Sequence, residues 1–156
     1  MGVYKNGVDT MLSIPIEEGG AEIHAGYRFA PIKALKAVGK PQPYVFVAVN
    51  TGGDTSLAGA GLSWKLRRGK IYVRPAIGVV VRDGPAYRSS QTLQMRTDLG
   101  SRVLFAPELA VGVQLSEKVS VEASWVHASH ARLADSQQNP GLDQIGVRLS
   151  FKLGRR

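Results

Sequence analysis

Apolar and polar residues alternate with a period of two along most of this chain, and that pattern constrains its fold more than any other feature. Successive side chains of a strand point to opposite faces, so a period of two specifies a sheet with one apolar and one polar side. Near the C-terminus Ile145, Val147, Leu149, Phe151 and Leu153 share one face, while Gln144, Gly146, Arg148, Ser150 and Lys152 share the other. Val103, Phe105, Leu109, Val111, Val113 and Leu115 oppose Arg102, Glu108 and Gln114. Ala21, Ile23, Ala25, Tyr27 and Phe29 oppose Glu22, His24, Gly26 and Arg28, and Ile71, Val73, Ile77, Val79 and Val81 oppose Tyr72, Arg74 and Arg82.

The pattern divides into eight strands: 2–8, 20–29, 43–50, 55–66, 70–82, 102–115, 119–130 and 142–153. Arg67-Arg68-Gly69 and Ser116-Glu117-Lys118 read as hairpin connections. The stretches 83–101 and 131–141 read as long loops, so connections alternate between tight and long. One segment, Pro31 to Lys40, has the marks of a short amphipathic helix, with Pro at its start and Gly near its end. No internal repeat or linker interrupts the pattern, and 156 residues suffice for a small closed barrel, so residues 1–156 are expected to form one domain.

Two sidednesses remain open on pattern alone. A soluble barrel or sandwich buries the apolar face, whereas an outer-membrane barrel turns it to lipid and fills its lumen with the polar face. The second is favoured by the polar set itself. Glu22, Arg28, Arg74, Glu108, Glu122 and Arg148 carry both signs, as an ion-paired lumen requires. Gly26, Gly78, Ala106, Ala110, Gly112 and Gly146 are small, as a narrow eight-stranded interior requires. No apolar run reaches the roughly 18–20 residues of a transmembrane helix, whereas a barrel strand crosses with about 10. The expected fold is therefore an all-β, eight-stranded, antiparallel up-and-down transmembrane barrel of the outer-membrane type. Met1 to Lys5 lacks the apolar core of a signal peptide, so an exported protein would be represented here in its mature or trimmed form.

The formal net charge is +8, but the basic residues are scattered and form no nucleic-acid-binding motif. The clusters Lys65 to Lys70 and Lys152 to Arg156 fall at turns or ends, where attraction to an anionic membrane surface suits them better. Cysteine is absent, which excludes disulfides and thiolate metal sites. No Asp/Glu/His grouping has metal-ligand spacing, and neither a metal nor a cofactor is expected.

Three chemical groups gather at one end of the outward face. His127 and Ser129 have the parity of Val121, Ala123 and Trp125, and Asp143 has the parity of Ile145 and Val147. The strands 119–130 and 142–153 are consecutive, so Asp143, near the start of one, approaches His127 and Ser129, near the end of the other. Serine is a weak nucleophile until a base takes its proton. Histidine suits that task, and a carboxylate orients the imidazole and stabilises its charged form. Residues i and i+2 on a strand lie roughly 6.5–7 Å apart at the backbone, so contact requires the side chains to lean together. Trp125, just below, sits where an interfacial aromatic is expected.

His127-Ala128-Ser129-His130 followed by Asn139-Pro140-Gly141-Leu142-Asp143 resembles the signature of the lipid A 3-O-deacylase family, the PagL-type acyloxyacyl hydrolases. Leu104-Phe105-Ala106-Pro107-Glu108-Leu109 and Gly146-Val147-Arg148-Leu149 are also similar to that family, and Gly19-Gly20-Ala21-Glu22-Ile23 more loosely so. The resemblance is clear over 101–153 and diffuse before it. It implies an outer-membrane serine esterase that removes the 3-position hydroxyacyl chain of lipid A, with His127 as base, Ser129 as nucleophile and Asp143 as acid. Asn139, with Gly141 and His130, is implied in oxyanion or substrate binding. Lipid A or lipopolysaccharide is the implied substrate, membrane lipid the surroundings and the bacterial outer membrane the location; a homodimer is left open. Arg82, Arg88 and Arg96 are candidates to meet lipid A phosphates or are solvated loop charges. Two positions depart from the family pattern. His130 stands where Asn is usual, leaving an imidazole N–H as the available donor, and Asp143 is one methylene shorter than the usual Glu. Outer-membrane barrels also commonly finish on an aromatic, whereas here Phe151 is followed by Lys152 to Arg156. A non-catalytic barrel with a structural or adhesive role, a soluble ligand-binding barrel and an acyltransferase barrel remain alternatives.

Overall fold

The computed structural model describes residues 1–8, 10–11, 19–83, 101–130 and 141–153. Ten strand segments succeed one another: β1 (Gly2–Asn6), β2 (Ala21–Arg28), β3 (Gln42–Asn50), β4 (Leu57–Ser63), β5 (Leu66–Arg68), β6 (Ile71–Arg82), β7 (Val103–Phe105), β8 (Glu108–Gln114), β9 (Val119–Ala128) and β10 (Leu142–Phe151). All pairings are antiparallel, β4 pairs with β6, and the pairing of β1 with β10 closes the ring. Two of the ten segments are continuations of others. Opposite the break between β4 and β5 stands Pro75 of β6, and Pro107 occupies the break between β7 and β8; neither has an N–H for the ladder. The register passes through both breaks without a slip, from Ser63↔Ala76 to Leu66↔Val73 and from Val79↔Phe105 to Ala76↔Glu108. The result is an eight-stranded antiparallel up-and-down β-barrel.

Burial settles which side faces out. Val147 is 56% exposed and Leu149 43%, and Ile23, Val45, Val47, Ile77, Val79, Val111 and Ile145 are exposed with them. Glu22, His24, Arg74, Glu108, Glu122 and Gln144 are buried in the lumen. Apolar outside and polar inside is the arrangement of a barrel whose solvent is lipid.

Nearer the tight turns, Glu122 accepts hydrogen bonds from Tyr72 Oη at 2.8 Å, Arg74 Nε at 2.9 Å and Arg148 Nε at 2.8 Å. Arg148 also reaches Glu108, and Arg28 lies 3.7 Å from Glu122. The interior is so narrow that aromatic rings lie against glycines on the next strand: Tyr4 faces Gly146 and Tyr72 faces Gly112. A Cβ on Gly146 would stand 2.3 Å from Tyr4 Cγ, and one on Gly112 would stand 2.3 Å from Tyr72 Cζ. Toward the long-loop end an apolar cluster that includes Leu57, Val80, Leu104, Val126, Ala128 and Leu142 is buried beside polar groups, among them Asn6, Glu22, Arg82 and Gln144.

Two expectations need correction. The segment 31–40 forms only a short 3₁₀ helix, Lys33–Val38, in which Leu35 leaves helical geometry and no residue is buried. So short a helix is unstable without an apolar face to bury, and this one packs none. Its end is held instead by Gly39 in the left-handed conformation (φ 84°) and by Trp64 Nε1 donating to Val38 O at 2.7 Å. Strand β1 ends at Asn6 rather than Val8. Gly7 takes φ 62°, after which Val8 N–H donates to Asp143 O at 3.1 Å. That is the geometry of a glycine bulge, in which one extra residue enters a strand and re-aims the chain beyond it.

Candidate active site

β9 and β10 supply the outward pair. Their register puts Asp143 directly opposite His127, and Trp125 opposite Ile145. His127 Nδ1 and Asp143 Oδ1 are 3.0 Å apart. Behind them, on the inward parity, Leu142 faces Ala128 and both are fully buried in the apolar cluster. The backbone that carries the pair is therefore backed by packed lumen rather than by water.

The upper end of β9 is fixed on its other side by the β7–β8 stretch. His127 N–H donates to Pro107 O at 3.0 Å. Ser129 N–H donates to Phe105 O at 3.0 Å, and Phe105 N–H returns a bond to Ser129 O at 2.8 Å. Pro107 has no N–H, but its carbonyl still accepts, so the ladder reaches Ser129. That residue comes two after His127 on the same face, with partial exposure.

The Asp143 carboxylate is 0% exposed although it has the outward parity. Charge buried beside hydrocarbon is costly unless it is hydrogen-bonded. Among the described residues three donors reach it. His127 and Trp125 share Oδ1, Trp125 Nε1 at 2.7 Å, and the Thr10 hydroxyl donates to Oδ2. Thr10 comes from the segment after β1, which the Gly7 bulge and the Val8–Asp143 bond direct over this corner. Sequence reasoning assigns neither Trp125 nor Thr10 this contact. Trp125 had a readable signal, since a diagonal neighbour on the next strand lies within reach of a long aromatic side chain. Thr10 had none.

The other expected residues stand at or near the same rim. Gly141 is buried and left-handed, with φ 72°, immediately before β10. His130 is 2% exposed and continues the inward parity of Val126 and Ala128. Asn139, Arg88 and Arg96 lie outside the described residues. Arg82 corrects its expectation as a loop charge: it closes β6 on the inward parity and is buried in the lumen mouth.

A serine, an imidazole and a buried carboxylate on the lipid-facing side of such a barrel narrow the comparison. The family model described as lipid A 3-O-deacylase (PagL) matches residues 21–152. The chain belongs to the PagL lipid A 3-O-deacylase family. That match includes β9 and β10 whole, with His127, Ser129 and Asp143. Membership gives the chain the activity of the PagL family, lipid A deacylation by hydrolysis, at family level. A crystal structure described as that of the outer membrane enzyme PagL aligns with TM-score 0.61 and 15% identity, over 98% of this chain and 100% of that one. At that identity the likeness concerns the barrel. A search of curated protein sequences finds no match.

Proposed function

We propose that this chain removes the 3-position hydroxyacyl chain of lipid A in the outer leaflet of a bacterial outer membrane, using Ser129, His127 and Asp143. The carrying observation is the 3.0 Å contact between His127 Nδ1 and Asp143 Oδ1 on the lipid-facing side. A carboxylate on Nδ1 keeps the proton there and leaves Nε2 as the acceptor.

Ser129 Oγ attacks the ester carbonyl carbon as its proton passes to His127 Nε2. The tetrahedral intermediate then collapses, the C–O bond to the sugar breaks, and the sugar hydroxyl leaves with the proton from His127. Water, deprotonated by the same imidazole, attacks the acyl-serine; the free hydroxy acid departs and Ser129 regains its proton. Asp143 remains ionised throughout and stabilises the imidazolium.

The developing oxyanion needs donors on the same side as Ser129. The segment that leads into Gly141 and carries Asn139 is the source we assign. His130 makes no direct contact with that oxygen in this reading, because its side chain is buried on the inward parity.

Mass spectrometry of lipid A from cells making the chain tests the proposal. The expected result is loss of one hydroxyacyl mass, abolished by Ser129→Ala. An unchanged spectrum with folded protein in the outer membrane overturns it and favours a non-catalytic barrel. A gain of acyl mass points instead to an acyltransferase.

A further inference from the structure

An aspartate carboxylate turns about a broad, roughly two-fold terminal torsion, so one contact does not hold its plane. At Asp143 three contacts among the described residues do, and they come from two separate places in the chain, β9 and the segment beyond β1. His127 lies opposite on β9, Trp125 diagonally below it on β9, and Thr10 on the segment beyond β1. Trp125 Nε1 donates at 2.7 Å to the oxygen that also faces His127 Nδ1. The Thr10 hydroxyl takes the other oxygen. With Oδ2 tethered by Thr10 and Oδ1 by the indole, rotation that would turn Oδ1 away from the imidazole breaks two further bonds to an ionised, fully buried group. The indole ring stands 6.3 Å from the imidazole ring centre to centre and inclined to it by 42°, so its role at this corner is donation rather than face-to-face stacking.

We propose that Trp125 and Thr10 are positioning residues, which hold the Asp143 carboxylate aimed at His127 and act on ester hydrolysis through it. The proposal rests on the Ser129, His127 and Asp143 reading above. Its consequence is that Thr10, which lies outside the two strands that carry the triad, acts on the reaction through Asp143.

The test uses the full chain folded in detergent micelles, with folding checked by heat-modifiable migration. Trp125→Phe keeps an aromatic ring and removes the N–H; Thr10→Val keeps the shape and removes the hydroxyl. Each is expected to lower kcat on lipid A by about tenfold or more with KM little changed, because each removes one hydrogen bond to a charged group. Thr10→Ser should return most of the loss. The low-field Nδ1–H proton resonance of His127, seen in histidine-labelled protein, should shift or broaden in both variants. A purely structural role would lower folding stability and leave that resonance and the kcat of the folded fraction in place, and this outcome overturns the proposal. If the wild-type chain proves inactive on lipid A, the deacylase reading fails separately. The resonance then decides the positioning claim by itself: unchanged in both variants, it sinks the claim.

Discussion

Asp143 and His127 stand opposite each other in the β9–β10 register, and the next pair along, Leu142 and Ala128, is buried on the lumen side behind them. One register therefore sets both the outward polar contact and its inward apolar support. A slip of one residue would turn the carboxylate into the lumen and a leucine into lipid.

Replacement of Asp143 by Asn preserves size and removes the charge that holds the imidazole in its working tautomer. The expected fall in kcat on lipid A is about 10³- to 10⁴-fold, with the folded barrel intact. Asp143→Glu keeps the charge but adds a methylene at a fully buried position, and should retain more activity than Asn. Steady-state kinetics on lipid A in mixed micelles check both.

Glu122 is the shared acceptor for Tyr72, Arg74 and Arg148 in the lumen. Glu122→Gln removes the counter-charge shared by Arg74, Arg148 and Arg28. A loss of about 3–5 kcal/mol in unfolding free energy is expected, as for other buried ion pairs broken from one side. Denaturant unfolding in micelles measures it.

Gly146 lies against the Tyr4 ring, with no room for a methyl group. Gly146→Ala should cost about 1–3 kcal/mol by overpacking. Tyr4→Leu should relieve part of that cost, so the two changes combined will be less destabilising than their sum. A double-mutant cycle detects this coupling.

Val111 faces outward at mid-height on β8 and is half exposed. Val111→Arg should destabilise the barrel by about 2–4 kcal/mol in lipid vesicles, and an arginine placed toward either rim should cost much less. A near-neutral effect at mid-height would contradict a hydrocarbon environment for this face.

The strands and their faces are legible in the sequence because a period of two is a local property. Once Ile145, Val147 and Leu149 are known to share a side, Asp143 joins them whatever the rest of the chain does. The lumen charges Glu22, Arg28, Arg74, Glu108, Glu122 and Arg148 are readable on the same ground. The amphipathic pattern over 31–40 overstates the helix there, because no residue of Lys33–Val38 is buried and a short helix depends on such burial. Arg82 is no loop charge, and its own parity already places it inside.

Sequence by itself determined alternation, the membership of each face and the nearness of His127 to Asp143, since consecutive strands in a meander pair with each other. An up-and-down barrel already implies that the first strand pairs with the last, as β1 does with β10; tertiary structure alone decided that Thr10, 133 positions from Asp143, arrives at its carboxylate. That contact depends on ring closure and on one left-handed glycine re-aiming the chain after β1. A single bulge leaves no periodic trace, because where it sends the chain obeys geometry summed around the whole barrel.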